Sequence, residues 1–344
     1  MLGFRHGGNG ELHGAELDFS ANINPLGMPE RVKRAVVSQS DCWENYPDPY
    51  CTRLKKRLSE HEDISAEQIV CGNGADDLIY RIVMAFKPES ALICAPSFGE
   101  YRKALEENRC AVKEYVLSES DGFEVSKSIL SSLEGIDMAF ICTPNNPTGR
   151  TIAPDLLCRI AEKCLTEDIM LVCDECFLDF AENSSLLSIR NFLNKRIIIL
   201  KAFTKIYAMA GLRLGYAVFG SSEIAAKIQN CGQYWSVSSP AQTAGIAALD
   251  EVDYIQKTVG YIRNERKYLS AELAGLGLTV YPSDANFLLF RSNLPLDKQL
   301  LQEKILIRSC DNYNGLGEEF FRIAVRTHDE NMKLISALRR ILNG

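Results

Sequence analysis

The sequence predicts an α/β protein in which helices cover both faces of a mainly parallel sheet, followed by a smaller α+β domain. Two patterns in the 344 residues support this prediction. Between about residues 69 and 220, short apolar runs alternate with segments of helical periodicity, as in parallel sheets wrapped by helices. After about Ser236, a long helical stretch leads to separate strand-like segments and a closing helix.

The apolar runs of the first region predict strands that are buried on both faces, because neither of their sides is polar. These strands are expected at 69–71, 91–94, 138–142, 169–173, 197–200 and 214–219, with helices at 75–86, 101–108 and 155–166. In the second region, a helix is expected at about 240–275 and a closing helix at 329–342, with strands between them at 286–291, 305–308 and 320–325.

Three parts of the chain are expected to have different roles. Residues 1–45 form an N-terminal arm that contributes to the small domain and to the active site, and the first 30 residues are rich in Gly and Asn. Residues 46–235 form the large domain and residues 236–344 the small one.

Composition excludes several classes of protein. A net charge of -7 argues against binding of nucleic acid through a basic surface. No stretch approaches the roughly 20 apolar residues of a membrane span, and the start lacks an apolar signal core, so a cytoplasmic protein without membrane partners is expected. The 12 cysteines are expected to be reduced. Cys173 and Cys176 have C-x-x-C spacing, but no second such pair exists to complete a metal site, so no metal is predicted.

Four side chains of different chemistry follow predicted strands or lie in loops close to them. They are the carboxylate of Asp174, the amine of Lys205, the amide of Asn146 in Asn-Pro-Thr-Gly, and the guanidinium of Arg213. Together these are the groups that pyridoxal phosphate requires. In their order along the chain, which is amide, carboxylate, amine and guanidinium, these residues resemble the aminotransferase family of fold-type I pyridoxal-phosphate enzymes.

The resemblance implies a role for each of the four residues. Lys205 would bind the cofactor aldehyde covalently, and Asp174 would hold a proton on the pyridine nitrogen so that the ring accepts electrons. Asn146 would donate to the ring phenolate, and Arg213 would bind the cofactor phosphate.

The same resemblance implies further contacts with the cofactor. Backbone amides of the turn before the helix at 75–86 and one hydroxyl would bind the phosphate, an aromatic ring would stack on the pyridine, and a tyrosine would reach the phosphate of a neighbouring subunit. The matching residues are Gly74 and Ala75, Thr204, Phe98 (or Tyr101), and Tyr46. The last role implies a homodimer with its active site at the subunit interface. The residues alone leave simpler alternatives open: Gly74 could belong to a plain glycine turn, Phe98 could be a core aromatic, and Tyr46 could lie in an ordinary surface turn.

Two positions depart from the common pattern of the family. Phe177 stands where a tyrosine usually contacts the ring phenolate, which leaves Asn146 as the main donor. Ala202 stands where a hydroxyl often binds the cofactor phosphate. Losing one hydrogen bond to a charged group costs about 1.5–3 kcal/mol at most, so the prediction of the cofactor stands.

Further segments indicate a branch of the family. Histidinol-phosphate aminotransferases are similar over nearly the whole chain, but they tend to have Asn-Glu-Asn-Pro at 22–25 and tyrosine at 177. Here 22–25 read Asn-Ile-Asn-Pro, residues 6–9 read His-Gly-Gly-Asn, and 308–310 read Arg-Ser-Cys. These features resemble the L-threonine-O-3-phosphate decarboxylases of cobalamin synthesis.

A substrate with a carboxylate and a phosphate requires two anion sites. The resemblance implies that Arg322 binds the carboxylate, that Arg308, His6 and the amides around Gly7 bind the phosphate, and that Asn24 contacts the substrate. A frayed terminal His6 and a surface Arg308 are the simpler alternatives.

Three functions are therefore considered. The first is decarboxylation of L-threonine O-3-phosphate to (R)-1-aminopropan-2-yl phosphate. The second is transamination of histidinol phosphate or a related phosphorylated amine with 2-oxoglutarate. The residues leave these two open, since the bond that breaks depends on a torsion at the substrate Cα. A pyridoxal-phosphate-dependent regulator is remote, because no helix-turn-helix pattern precedes the first strand.

Overall fold

The structure is a computed structural model that describes residues 7–343. Its strands are β1 (Leu17–Asp18), β2 (Ile69–Gly72), β3 (Ser90–Ala95), β4 (Ala111–Val116), β5 (Met138–Cys142), β6 (Met170–Asp174), β7 (Ile197–Ala202), β8 (Gly215–Phe219), β9 (Thr279–Val280), β10 (Phe287–Arg291), β11 (Ile305–Leu306), β12 (Arg308–Ser309) and β13 (Phe320–Ala324). Its α-helices are α1 (Glu30–Val37), α2 (Thr52–Glu62), α3 (Gly74–Phe86), α4 (Gly99–Glu107), α5 (Ile129–Ser132), α6 (Pro154–Thr166), α7 (Ser184–Leu187), α8 (Phe203–Ile206), α9 (Ser222–Gln229), α10 (Ser239–Ala248), α11 (Val252–Gly275), α12 (Leu296–Gln302) and α13 (His328–Asn343).

The large sheet has the strand order β2-β8-β7-β6-β5-β3-β4. β8 runs antiparallel to β2 and β7, and the other neighbouring strands pair in parallel. The predicted mainly parallel sheet is thus confirmed. Strand β4 was not predicted, because it lies at the edge and alternates exposed with half-buried residues instead of forming an apolar run.

Helices cover both faces of this sheet, as the apolar strands predicted. Ile198 and Leu200 of β7 belong to one hydrophobic cluster with residues of α3, α4 and α9. Ile197 and Ile199 point to the opposite face and belong to another cluster with residues of α2 and α6. Successive side chains of a strand alternate between faces, so a strand buried on both sides needs apolar residues at every position.

The carboxyl ends of β5, β6 and β7 lie side by side. Cys142 is paired with Asp174, and Asp174 with Leu200, in parallel register. The chain continues the pairing past the strands, since the N–H of Thr143 donates to the carbonyl of Asp174 and that of Glu175 to Leu200. Side chains that follow these strands therefore share one edge of the sheet, where ligands bind in α/β proteins.

The C-terminal region contains an antiparallel sheet in the order β12-β13-β10-β9. The arm is joined to this region, because β1 pairs in parallel with β11. Two predicted elements are divided. The helix at about 240–275 is two helices, α10 and α11, and the strand at 305–308 is β11 and β12, which belong to different sheets. The three domain boundaries stay predictions. Among the helices within residues 7–343, none combines the length and apolar character that crossing a membrane requires.

Candidate active site

A cavity lies between the carboxyl edge of the large sheet and the small sheet. Most of the residues predicted for the site line it: Gly7, Ala75, Phe98, Asn146, Asp174, Thr204, Lys205, Arg213, Arg308 and Arg322. They come from strand ends, helix starts and the arm, which are distant in sequence. The arrangement gathers an amine, a carboxylate and three guanidinium groups in one cleft.

Lys205 lies in α8, which follows β7 after Ala202. Burial lowers the pKa of the Lys205 amine from its usual value to about 8, and the positive charges of Arg322 and Arg213 act in the same direction. A neutral amine is the form that attacks an aldehyde. The cavity therefore increases the fraction of this lysine that is a nucleophile near neutral pH.

Asp174 is the last residue of β6 and is held by two donors. The hydroxyl of Tyr101 donates to its Oδ2 at 2.5 Å, and the N–H of Cys176 donates to its Oδ1 at 2.9 Å. Burial raises the pKa of Tyr101 well above its usual range, and the Asp174 carboxylate adds to that shift, so this phenol stays protonated as a donor. Tyr101, predicted only as a substitute for Phe98, instead orients Asp174.

Phe98 lies immediately before α4, and its ring meets the ring of Tyr101 edge to face, with the centroids 5.6 Å apart. It lines the cavity, as expected for a ring that stacks on a cofactor. The spacing of three residues at the start of a predicted helix could have identified Tyr101, since residues i and i+3 share a helix face.

The start of α3 and Arg213 together form an anion-binding corner. Gly74 has φ of +83°, and a Cβ there would lie only 2.6 Å from Nη2 of Arg213. The Cβ of any residue at Gly215 would approach the N atom of Ala75 to 2.5 Å. Glycine at both positions permits β8 and Arg213 to approach the helix start, where free N–H groups and the helix dipole favour an anion. A phosphate group fits this donor set. Gly74 does not line the cavity directly, but Ala75 does.

The amide of Asn146 is oriented by the small sheet. Its Oδ1 accepts a hydrogen bond from Nη1 of Arg322, and the hydroxyl of Tyr313 lies 3.4 Å from the same oxygen. An amide whose oxygen faces these donors directs its NH₂ group the other way. The predicted donation from Asn146 to a phenolate requires this orientation.

Two buried arginines face each other across the pair β12–β13. Arg308 and Arg322 are register partners, with 8% and 5% of their surface exposed. Nη2 of Arg322 also donates to the carbonyl of Ser20 at 2.7 Å, and its Nε finds no partner among residues 7–343. Two guanidinium groups on adjacent strands make this wall of the cavity suitable for anions.

Besides Gly74, two predicted residues, Asn24 and Tyr46, do not line the cavity. The Nδ2 of Asn24 donates to the carbonyl of Ile206 at 2.7 Å and to Thr258 at 2.9 Å, so it ties α8 to α11 and has no part in the lining. Asn22 lines the cavity instead, and its buried Oδ1 has no partner among the described residues. Tyr46 is 78% exposed and stacks on Trp235 with centroids 4.5 Å apart. His6 lies outside the described residues.

The donor set of the cavity fits pyridoxal phosphate. Within residues 7–343, no group of three or more His, Cys, Asp or Glu side chains is arranged to hold a metal ion. Phe177 and Ala202 line the cavity without a hydroxyl, as the sequence indicated. A buried amine with a lowered pKa, a strand-end carboxylate and a helix-start anion corner together define the site of a pyridoxal-phosphate enzyme.

The comparison with known families agrees with this geometry. The family model "Aminotransferase class I and II" matches residues 15–338. The chain therefore belongs to the class I and II aminotransferase family. Members of this family are pyridoxal-phosphate enzymes, so the predicted cofactor and fold class are confirmed.

Individual relatives represent both branches considered from the sequence. The threonine-phosphate decarboxylase of Salmonella typhimurium is 40% identical, over 95% of this chain and 92% of its own length. The solved structure of the histidinol-phosphate aminotransferase from Clostridium acetobutylicum has a TM-score of 0.89 and 31% identity, covering 95% of this chain and 99% of that one. The L-threonine-O-3-phosphate decarboxylase from Porphyromonas gingivalis has a TM-score of 0.82 and 25% identity, covering 95% and 100%.

Proposed function

We propose that this enzyme decarboxylates L-threonine O-3-phosphate to (R)-1-aminopropan-2-yl phosphate, within cobalamin biosynthesis. The observation that supports this most is the pair Arg308 and Arg322, both buried and both lining the cavity of Lys205. The 40% identity to the Salmonella decarboxylase supports the same reaction.

The number of guanidinium groups in the cavity suits a substrate with two anionic groups. Arg213, whose guanidinium lies beside the first residue of α3, would hold the cofactor phosphate. Arg322, fixed by Ser20 and Asn146, would bind the substrate carboxylate in the bidentate manner that arginine favours. Arg308 on the neighbouring strand would bind the substrate phosphate, with the amides around Gly7 and, in our proposal, His6.

The residues of the cavity divide the chemistry between them. When bound, the cofactor supplies an electron-withdrawing ring that accepts the electron pair released at the substrate Cα. Asp174, oriented by Tyr101, would hold the proton on the ring nitrogen. Arg322 and Arg308 would fix the substrate at its two ends and so set the torsion that aligns the Cα–carboxylate bond with the ring. As carbon dioxide leaves, Lys205 would donate a proton to Cα.

We also propose that the active enzyme is a homodimer. Beside the stacked pair Tyr46 and Trp235, the rings of Tyr50 and Tyr234 meet edge to face at 5.9 Å. These four aromatic side chains are each about half exposed or more, and exposed apolar patches of this kind mark interaction surfaces. A second copy of the chain would cover the patch, and Tyr46 would reach the cofactor phosphate of the partner subunit. The division into 1–45, 46–235 and 236–344 belongs to this proposal.

The second candidate is an aminotransferase that acts on histidinol phosphate with 2-oxoglutarate. It is favoured by the TM-score of 0.89 to the Clostridium acetobutylicum structure. The same lysine, carboxylate and arginines could serve that reaction if the Cα–H bond were aligned with the ring instead.

One pair of assays separates the two reactions. Purified holoenzyme is incubated with L-threonine O-3-phosphate, and carbon dioxide and 1-aminopropan-2-yl phosphate are measured. In parallel, it is incubated with histidinol phosphate and 2-oxoglutarate, and glutamate is measured. We expect carbon dioxide in the first assay and no glutamate in the second, with Lys205→Ala as the inactive control. Glutamate without carbon dioxide would replace our proposal by the second candidate.

A further inference from the structure

The turn between β12 and β13 spans residues 310–319 and contacts both sides of the cavity. Its base is closed by the N–H of Cys310, which donates to the carbonyl of Phe320 at 2.9 Å. Its first bend is fixed by the N–H of Tyr313, which donates to the carbonyl of Cys310 at 3.0 Å. Because β12 and β13 carry Arg308 and Arg322, the position of this turn bears directly on both guanidinium groups.

Asn312 and Tyr313 contact the side chain of Arg308. Nη2 of Arg308 donates to Oδ1 of Asn312 at 2.7 Å, and its guanidinium carbon lies 5.7 Å from the centroid of the Tyr313 ring. A hydrogen bond and a ring face together restrict both the direction and the plane of a guanidinium group. Both contacts are with uncharged groups, so they orient Arg308 without neutralising it.

Tyr313 also connects Arg308 to the other arginine. It lines the cavity, and its hydroxyl lies 3.4 Å from Oδ1 of Asn146, the oxygen that accepts from Arg322. Burial raises the pKa of the Tyr313 phenol, so the hydroxyl stays a donor. The ring of Tyr313 thus contacts the guanidinium of Arg308, and its hydroxyl contacts the amide that accepts from Arg322.

The outer part of the turn is held by the large domain. Nδ2 of Asn314 donates to Glu114 of β4, which also accepts from Arg102 of α4. Gly315 packs on the segment before Phe98, because a Cβ at Gly315 would lie 3.6 Å from Cδ of Pro96. With contacts on both domains, the turn fixes the distance between the small-sheet arginines and the edge of the large sheet.

We propose that Asn312 and Tyr313 are positioning residues that set the preference of the site for phosphorylated substrates. They do this by aiming Arg308 into the cavity at a fixed distance from Arg322. This inference rests on the proposed function in that it takes the substrate to be an amino acid with a second, phosphate anion. It assigns the discrimination between phosphorylated and unphosphorylated substrate to the turn as well as to the arginine itself.

The test compares the variants Asn312→Ala, Tyr313→Leu and Tyr313→Phe as holoenzymes. For each, the dissociation constants of O-phospho-L-threonine and L-threonine are measured from the change in the visible absorbance of the cofactor, and KM and kcat are measured where carbon dioxide is released. Tyr281→Phe and Tyr281→Leu serve as matched controls, because the N–H of Tyr281 donates to Leu289 of the small sheet but Tyr281 lies outside the cavity.

We expect Asn312→Ala and Tyr313→Leu to raise the dissociation constant of O-phospho-L-threonine about tenfold or more, which corresponds to one misplaced charged contact. The dissociation constant of L-threonine should change by no more than about twofold. Tyr313→Phe keeps the ring, so the difference between its effects on the two dissociation constants should be smaller but have the same direction. KM should rise more than kcat falls. Equal losses for both compounds, or a split of the same size in the Tyr281 variants, would overturn the proposal.

The outcome is separable from that of the proposed function. If the wild-type enzyme prefers O-phospho-L-threonine but releases no carbon dioxide, the reaction is wrong and the binding split of the variants still decides the role of the turn. If the wild-type enzyme binds both compounds equally, the preference itself is absent and this inference fails. Should Tyr313→Leu not fold, as judged by its thermal transition, Tyr313→Phe and Asn312→Ala supply the same comparison.

Discussion

On the large-sheet side of the cavity, Asp174 ends β6 and Lys205 follows β7 by three residues, so the sheet itself places them. On the small-sheet side, Arg308 and Arg322 lie on two paired strands and depend on Ser20, Asn146 and the turn after β12 for their direction. The first side is fixed by backbone geometry, and the second by side-chain hydrogen bonds between distant segments. A change on the first side should therefore affect the chemistry, and a change on the second should affect which substrate is accepted.

The largest effect is expected for Lys205→Ala. Without the amine, covalent attachment of the cofactor and proton donation to Cα are both lost, and we expect carbon dioxide release to fall at least about a thousandfold. After borohydride reduction, the wild-type peptide that contains residue 205 should carry the cofactor mass, and the variant should carry none. Lys227→Ala, an exposed lysine of α9, is the control and should behave as wild type. Cofactor mass on another lysine would contradict the assignment on which the whole site depends.

The second prediction separates the two arginines. Arg322→Met should weaken the binding of L-threonine and of O-phospho-L-threonine alike, about tenfold to a hundredfold, because both carry a carboxylate. Arg308→Met should weaken the binding of the phosphorylated compound alone by that amount. The visible band of the cofactor should survive in both variants, since Lys205 and Arg213 are unchanged.

Arg291→Met is the control for this pair, because Arg291 ends β10 and lies outside the cavity. Identical losses for the two substrates in Arg308→Met would remove Arg308 from the phosphate site. Loss of the cofactor band in Arg322→Met would move Arg322 from the substrate to the cofactor.

The same division explains how much could be predicted from the sequence. Asp174 and Lys205 follow apolar runs that predict buried strands, so local patterns identify both the strands and the residues at their ends. Tyr313 has no such pattern around it, and Asn22 lies in the same 22–25 motif as Asn24 but was not predicted for the site. The place of both in the cavity follows from contacts between segments hundreds of residues apart. Asn24 shows the converse, because a residue in a recognisable motif is used to tie α8 to α11. The predicted boundaries of α3, α4 and α6, which cover the main sheet, are close to the observed ones. The edge strand β4 has no apolar run and was missed.

The smallest effect, and the one that links both sides, concerns the pH dependence of cofactor attachment. Burial and the charges of Arg322 and Arg213 lower the pKa of the Lys205 amine to about 8. Only the unprotonated amine attacks the aldehyde, so the rate at which apoprotein binds pyridoxal phosphate should rise with pH and level off above about 8. In Arg322→Met, one positive charge is removed, protonation of Lys205 becomes easier, and the midpoint should move to higher pH. Stopped-flow absorbance over pH 6 to 10 measures this, with Arg291→Met as the control. A midpoint that is the same in all three proteins would show that the small sheet acts on the substrate alone and not on the reactivity of Lys205.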